Sequence, residues 1–238
     1  MIRYSGFVAM IFVATILGIG GITVVPRVTT AQEKLVFCSD LAFPPMEFLE
    51  GSTPKGADID IGNEVAKRLG RKASSRNVGF DGIIAALGAN RCDAIISGMN
   101  NTPERAKQVD FINYLNVGQS LMVAKDNPLG IVSLETLCGH TAGAQVGSTN
   151  LDTLNDANAA CKDAGKPEIK VVGFKADTDG VLALKADRID VYESDSPVVA
   201  YYIAQGKDAF AFGGPAINAI PVAIAVRKDD AALRDSIQ

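Results

Sequence analysis

The 238-residue sequence has little of several features on which common protein functions depend. Its one histidine, His140, has no partner at metal-binding spacing, and there is no nucleophile-elbow glycine pattern and no phosphate-binding loop. It contains no low-complexity tract and, beyond its N-terminus, no second apolar run of membrane length. The sequence therefore predicts a globular protein that uses no metal and no cofactor, and it shows no residues for an enzyme of the common types.

Basic residues are not in excess either. The chain has 23 basic and 27 acidic residues, and the acidic excess grows when the first 31 residues, which contain Arg3 and Arg27, are left out. Proteins that bind nucleic acid depend on a basic surface to contact the phosphates. The charge balance therefore argues against nucleic acid as a partner.

The first 31 residues have the three parts of a secretory signal. A basic start at Arg3 precedes an apolar run over residues 7–25, and small residues follow up to Ala31. This predicts a signal peptide over residues 1–31 and a periplasmic or otherwise extracytoplasmic protein. Because the apolar run is nearly long enough to span a bilayer, an uncleaved anchor is the alternative.

The four cysteines are candidates for disulfides, since disulfides persist in exported proteins. Cys138 and Cys161 bracket one predicted strand and helix, and their pairing is the one that we favour. Cys38 and Cys92 lie in two predicted core strands, where buried thiols are an equally good interpretation.

From Lys34 onward, short apolar strands alternate with amphipathic helices, which predicts an α/β fold with mainly parallel sheets. Two segments, DGIIAALGANRCDAIIS (81–97) and DGVLALKADRIDVYES (179–194), share an Asp-Gly helix start and an Arg-x-Asp step into a strand. This internal similarity favours two similar lobes, although the residues that begin helices and strands also recur by chance in α/β proteins. The predicted strands are 35–38, 93–97, 119–124, 141–145, 169–174, 189–192 and 222–226, and the predicted helices are 59–69, 81–89, 103–108, 149–163, 178–186 and 197–205.

Ligands of open α/β sheets bind beyond the carboxyl ends of the strands. The residues at these positions are polar and of complementary type, as a small zwitterion needs. They are Asp40, Phe43, Ser97, Gly98, Asn100, residues 147–149 and Asp195.

Arg105 stands at the predicted start of a helix, where free N–H groups already carry partial positive charge. A second cation is unfavourable there unless an anion lies between them, so we expect a ligand carboxylate, which the planar guanidinium matches. The alternative is a surface Arg105 paired with Glu104 or Asp110.

The other candidates have structural alternatives as well. Asp195 can accept a ligand ammonium or cap the following helix, and Ser148 and Thr149 can bind an anion or cap theirs. Asp40 can contact a polar or cationic ligand side chain or can cap a turn. Phe43 can form a wall of the ligand site or belong to the core.

Six segments carry a family resemblance: SDLAFPPMEF, GADIDIGNEVAKRLG, FDGIIAAL, CDAIISGMNNTPERAKQVDF, VGSTN and RIDVYESDSPVVAYY. Together they resemble the extracellular solute-binding proteins for polar amino acids that feed ABC importers, and the resemblance runs in order over residues 34–238. It implies the two-lobed type II periplasmic-binding-protein fold, with two mainly parallel sheets joined by two hinge strands and closing on the ligand. The expected lobes are 34–124 plus 217–238, and 125–216.

The resemblance also implies roles for the site residues. Arg105 corresponds to the carboxylate clamp, assisted by Gly98 and Asn100 from the same lobe. Thr149 contributes to it from the second lobe. Asp195 corresponds to the acceptor of the ligand ammonium.

Two further contacts and three departures follow from the same resemblance. Phe43 corresponds to the stacking wall and Asp40 to a contact of the ligand side chain. Asn100 stands where relatives have Thr or Ser, Ala57 where many have an aromatic, and Met46 where a second aromatic follows the double proline. The ligand class is therefore better defined than the ligand.

The predicted function is that of the substrate-binding component of an amino acid ABC importer, a monomer that delivers a polar or cationic L-amino acid to a membrane permease. One alternative is a dehydratase-like enzyme on the same fold, with Glu193 as its general acid, and another is a sensory domain for amino acids. Asp195 argues against the enzyme, because an ammonium acceptor has no evident use for a carboxylated cyclohexadiene. Since relatives continue for about another helix, we also expect a fragment with a shortened first lobe.

Overall fold

The computed structural model describes residues 33–206 and 208–238. They form a nine-stranded mixed sheet, a separate three-stranded sheet and helices that pack against them. The signal-peptide prediction for residues 1–31 lies outside the described residues. Among the residues described, none of the helices has the length and apolar character needed to cross a bilayer.

The strands are β1 (Lys34–Ser39), β2 (Ala42–Phe43), β3 (Glu47–Glu50), β4 (Thr53–Lys55), β5 (Lys72–Asn77), β6 (Ala94–Ile95), β7 (Val109–Ala124), β8 (Thr141–Gln145), β9 (Lys170–Phe174), β10 (Val191–Asp195), β11 (Phe210–Phe212) and β12 (Ile217–Arg227). The helices are α1 (Ala57–Arg68), α2 (Ile83–Gly88), α3 (Thr149–Asp163), α4 (Asp177–Lys185), α5 (Ser196–Gly206) and α6 (Ala231–Ile237). Single 3₁₀ segments occupy Phe80–Gly82, Arg105–Lys107 and Leu134–Leu137.

Two long antiparallel strands, β7 and β12, form the centre of the main sheet, whose order is β5-β1-β6-β12-β7-β10-β8-β9. On one side β5, β1 and β6 are parallel to each other, and on the other side β10, β8 and β9 are parallel. We call these the first half and the second half of the sheet. The first stretch of β7 pairs with β12, and its last residues pair with β10 and β11, so β7 runs from one half into the other.

Each half has its own apolar core on both faces. In β1, Leu35 and Phe37 belong to one buried cluster of the first half and Cys38 to the other, as the alternation of side chains along a strand requires. In the second half, Leu154 and Cys161 of α3 pack against β8, while Tyr192 packs on the opposite face. The fold class predicted from the sequence, a two-lobed α/β fold with crossing strands, is confirmed.

Elements with a local signal were predicted best. The bounds of α3 and β8 match the prediction, and Ser148 caps α3 by accepting a hydrogen bond from the Leu151 N–H at 3.1 Å. The predicted strands 119–124 and 222–226 were too short, because they are parts of β7 and β12. The predicted helix 103–108 is wrong, since only a 3₁₀ turn forms there. The sequence prediction also omitted β2, β3, β4, β5 and β11.

Both cysteine pairs form disulfides. Cys138 is bonded to Cys161, as favoured from the sequence. Cys38 is bonded to Cys92 with a Cα–Cα distance of 5.6 Å, so the interpretation of these two residues as buried thiols is wrong. This second bond ties β1 to the residues before β6.

Replacing Cys38 and Cys92 together by alanine is expected to lower the free energy of unfolding by about 4 kcal/mol, because the bond closes a long loop in the unfolded chain. The two residues are 54 positions apart, against 23 for Cys138 and Cys161. Replacing Cys138 and Cys161 together by alanine is therefore expected to lower the free energy of unfolding by less, about 3 kcal/mol. Urea unfolding of both double variants measures the two losses. A larger loss of unfolding free energy for the Cys138 and Cys161 variant than for the Cys38 and Cys92 variant would contradict the dependence on loop length.

Candidate functional site

A cavity lined mostly by polar residues lies where β1, β6, β8 and β10 end. This is the edge at which open α/β sheets bind ligands. Six of the eight residues predicted for the site line the cavity: Asp40, Phe43, Ser97, Gly98, Asn100 and Asp195. The other two, Arg105 and Thr149, contact the lining residue Asn100.

Arg105 lies at the edge of the cavity and is held by main-chain oxygens of both halves. Its Nη1 donates to the Asn100 carbonyl and its Nη2 to the Gly147 carbonyl, both at 2.9 Å. The guanidinium carbon is 5.3 Å from the centre of the Phe80 ring, a cation–π distance. Burial lowers the pKa of Arg105, which Asp152 and Asp195 oppose, but a guanidinium stays charged in proteins. A fixed cation therefore stands beside the cavity.

The surface alternative for Arg105 is wrong. Glu104 pairs with Lys107, and Asp110 pairs with two other basic side chains, Lys228 and Arg234. Neither of these two acids is paired with Arg105.

The turn after β6 is shaped by a glycine. Gly98 has a φ of 52°, and a Cβ at this position would lie 2.8 Å from the ring of Phe43. Its N–H donates to Asp58 Oδ2 at 2.7 Å. The sequence prediction assigned this N–H to a ligand carboxylate, but Asp58 already accepts it. The role left for Gly98 is to let the aromatic wall approach.

Asn100 joins the two halves through its side chain. Its Oδ1 accepts from the Thr149 hydroxyl at 2.7 Å, while its Nδ2 has no hydrogen-bond partner among the described residues. Gln119 donates to the same Thr149 hydroxyl at 3.1 Å, which fixes the side chain. The unpaired amide N–H groups of Asn100 are available to an acceptor on a ligand.

Asp195 is the last residue of β10 and not, as predicted, the first residue after the strand. Its Oδ1 accepts from the Asn150 amide at 3.3 Å. Burial raises the pKa of Asp195 to about 7, against the opposing effects of Asn150 and Arg105. The carboxyl group is therefore easily ionised by a neighbouring cation at neutral pH.

Asp40 links the two halves through its side chain. Its Oδ2 accepts from the Phe80 N–H at 3.1 Å and from Gln145 Nε2 at 2.7 Å. Burial raises the pKa of Asp40, and these two hydrogen bonds oppose the rise. Phe43 is buried beside it and forms a wall of the cavity.

Two glutamates of the cavity lining were not assigned to a ligand from the sequence. Glu47 is fully buried and accepts from the Ser97 hydroxyl at 2.7 Å, and burial together with Asp58 raises its pKa well above the usual value. Glu193 is also fully buried, and neither of its carboxyl oxygens has a partner among the described residues. Burial and the charge of Asp195 raise the pKa of Glu193 to about 9.

Among the described residues, three hydrogen bonds join the segment 33–109 to the segment 141–206. They join Gln145 to Asp40, Thr149 to Asn100, and Arg105 to Gly147. The two halves are thus in contact around the cavity, as in a closed binding protein.

Sequence reasoning missed several residues of the site. Phe80, in the segment FDG, lines the cavity. It provides an aromatic ring to a site in which Ala57 stands where many relatives have an aromatic residue. Asn150 directly follows the predicted VGST turn, and its polar side chain at a helix start was the available signal. Nothing in the sequence pattern pointed to the pairing of Asp58 with Gly98.

A two-lobed α/β fold with a polar cavity between the halves defines the class of periplasmic binding proteins. Residues 35–238 match the profile of the bacterial extracellular solute-binding proteins, family 3, and the chain belongs to this family.

Individual relatives agree with this assignment. The chain is 31% identical over 207 residues to the arginine-binding extracellular protein ArtP of Bacillus subtilis, covering 84% of this chain and 76% of that protein. It is similar to an ancestral arginine-binding protein solved with arginine, with 36% identity, a TM-score of 0.80 and coverage of 87% and 89% of the two chains. It is also similar to arginine-bound ArgBP from T. maritima, a Gly52Ala mutant in that protein's own numbering, with 33% identity, a TM-score of 0.79 and coverage of 86% and 92%.

Proposed function

We propose that this protein is the substrate-binding component of an amino acid ABC importer and that its ligand is an L-amino acid with a cationic side chain, arginine above all. The observation that carries this proposal is the acidic lining of the cavity. Four carboxyl groups line it, and no basic residue does within the described residues. The four are Asp40, Glu47, Glu193 and Asp195. The names of the relatives, which bind arginine, support the same ligand.

The two ends of an amino acid would contact different parts of the site. The carboxylate would lie against Arg105 and the unpaired amide of Asn100, and the ammonium would lie against Asp195. The cationic side chain would then extend toward Asp40, past the Phe43 wall. Because Asp195 belongs to the second half and Arg105 to the first, a ligand satisfies both only when the halves are closed, so binding favours closure.

The remaining parts of the proposal follow the family. The lobes would be residues 34–124 plus 217–238 and residues 125–216, with β7 and β12 as hinge strands. The protein would be an extracytoplasmic monomer, exported by the signal peptide over residues 1–31, that docks on a membrane permease. We propose a binding role and no catalytic activity.

Thermal unfolding against a panel of L-amino acids tests the ligand class. A ligand bound only by the native state stabilises it by about 4 kcal/mol at a thousand times its dissociation constant, which corresponds to a rise of about 10 °C for a chain of this size. We expect such a rise with L-arginine, smaller rises with L-lysine, L-ornithine and L-glutamine, and none with L-aspartate or D-arginine.

The same panel separates the alternatives. Equal shifts for acidic and basic amino acids would contradict the cationic preference. No shift with any amino acid, from a protein that melts cooperatively, would overturn the binding role. In that case aromatisation of a carboxylated cyclohexadiene would be the assay for the dehydratase alternative with Glu193 as the acid.

A further inference from the structure

Glu193 lies in the middle of β10, where a charged residue faces the cavity. Since side chains alternate along a strand, Glu193 and Asp195 share one face, and Tyr192 and Ser194 share the other. Tyr192 and Ser194 line the cavity as well, but their hydroxyls both donate at 2.9 Å to Asp177, which does not line it. Glu193 is 0% exposed, lines the cavity, and has no partner for either carboxyl oxygen among the described residues.

A second unpaired acceptor lies in the same part of the cavity. Asn150 donates its Nδ2 to Asp195 at 3.3 Å, but its Oδ1 has no partner among the residues described. Glu193 and Asn150 thus bring three buried oxygen atoms that have no hydrogen-bond partner among the described residues to the part of the cavity that Asp195 occupies. Unpaired buried acceptors are costly, so a group with several N–H donors and a positive charge is what this end lacks.

The position of Arg105 indicates which ligand group this is. The ammonium and the carboxylate of an α-amino acid are bonded to the same carbon atom, so the ammonium must lie close to the carboxylate clamp. Arg105 acts on Asp195 through its charge, and Glu193 adjoins Asp195 on the same strand face. Asp40, in contrast, already accepts two hydrogen bonds, from the Phe80 N–H and from Gln145.

We propose that Glu193 is a specificity-determining residue that accepts a hydrogen bond from the ligand's α-ammonium group, so that Glu193, Asn150 and Asp195 together form the ammonium site. An ammonium has three N–H donors, one for each of these side chains. This inference rests on the proposed function, since it assumes an amino acid ligand. It assigns to Glu193 a role in binding instead of the general-acid role of the enzyme alternative.

The charge state of the site fits this role. Burial and Asp195 hold the Glu193 carboxyl in its neutral form at pH 7. The positive charge of a ligand ammonium lowers the pKa of Glu193 again, so binding is expected to ionise Glu193 and to release a proton. Other charged groups act on β10 as well: Arg105 and Asp58 act on Asp195, and Asp177 and Asp179 act on Tyr192 on the opposite face. Asp152 on α3 acts on Arg105. The neighbouring strand β8 carries no charged residue.

Calorimetric titration of Glu193→Gln tests the assignment with two probes. One probe is L-arginine, and the other is δ-guanidinovalerate, which keeps the guanidinium and the carboxylate but lacks the α-amino group. We expect the variant to bind L-arginine about tenfold or more weakly than the wild type and δ-guanidinovalerate within about threefold of it. Equal losses for both probes, or no loss for L-arginine, would overturn the proposal.

Proton release gives a second readout that needs L-arginine alone. Binding enthalpies measured in buffers of different ionisation enthalpy give the number of protons released, and we expect fewer from Glu193→Gln than from the wild type. Equal numbers would count against the role. Asp177→Asn is the matched control, since it changes a buried carboxyl on the opposite face of β10, and we expect it to keep the wild-type proton count.

The outcomes separate the two proposals. If the wild type binds no amino acid, the proposed function fails before Glu193 is tested. If the wild type binds L-arginine and Glu193→Gln binds it equally well, only the role of Glu193 fails. Cooperative melting of the ligand-free variant shows that it is folded, and Glu193→Leu repeats the test without any hydrogen-bonding group.

Discussion

Replacing Arg105 by alanine is expected to weaken the binding of L-arginine by about a hundredfold or more, which corresponds to at least 2.7 kcal/mol. The guanidinium is held by the carbonyls of Asn100 and Gly147, each at 2.9 Å, so it is already positioned when a carboxylate arrives. Its removal leaves the ligand carboxylate without its charged partner in a cavity lined by four other carboxyl groups. Titration calorimetry of the purified variant measures the loss.

Three comparisons make this expectation specific. Arg105→Lys keeps the charge but not the planar pair of donors, so an intermediate loss is expected. Arg68→Ala removes an exposed arginine paired with Glu64 on α1 and is expected to keep the wild-type affinity. Agmatine, which lacks the carboxylate, should lose little affinity on Arg105→Ala. A loss of less than about tenfold for L-arginine, 1.4 kcal/mol, would mean that its carboxylate binds elsewhere.

The elements that sequence patterns predicted well are those whose signals are local. In α3 the serine N-cap, the apolar spacing and the length all agree, and the predicted bounds match. In β8 a short buried run stands between turn residues. Neighbouring residues alone determine these patterns, so no knowledge of the tertiary structure was needed.

The elements that were missed depend on pairing partners far away in the chain. The strand β5 has the sequence KASSRN and no buried residue, and it is a strand because it pairs with β1 along its whole length. The first stretch of β7 is only half-buried and is interrupted by Asp110, Asn113 and Asn116, so its apolar signal is weak. Its length is determined by β12, which follows about 100 residues later.

In the candidate site, too, local patterns predicted which residues come together but not how they are paired. Strand ends and turn residues were enough to bring Asp40, Ser97, Asn100 and Asp195 to one cavity, because parallel strands end at a common edge. Whether a polar group is already paired depends on contacts between distant residues. The partner of the Gly98 N–H is 40 residues away in Asp58, and no local pattern predicts such a contact.

Replacing Asp195 by asparagine is expected to have two opposite effects, a loss of ligand affinity of about a hundredfold and a gain in the stability of the ligand-free protein. The affinity falls because the ligand ammonium loses its charged acceptor while remaining buried. The stability rises because the native state no longer has to bury an ionisable carboxyl group. Asparagine can still accept the hydrogen bond from Asn150 through its amide oxygen.

The pH dependence gives the sign of the stability effect. Burial raises the pKa of Asp195 from 3.8 to about 7 in the native state, so the native state holds this proton more tightly than the unfolded chain does. The stability that the raised pKa contributes is therefore complete at low pH and is lost as pH rises from about 4 to about 7. Three pKa units correspond to about 4 kcal/mol. The asparagine variant lacks this loss, so its advantage in melting temperature should be absent near pH 4 and level off above pH 7.

A matched control separates stability from binding. Burial also raises the pKa of Asp177 to about 7, but Asp177 does not line the cavity and accepts from the Tyr192 and Ser194 hydroxyls. Asp177→Asn is therefore expected to show the same pH-dependent gain in stability while retaining affinity for L-arginine. Melting curves from pH 4 to pH 8 and calorimetric titration of both variants provide the comparison. If Asp195→Asn kept its affinity as well, the ammonium would lie elsewhere, and the raised pKa of Asp195 would reflect burial alone.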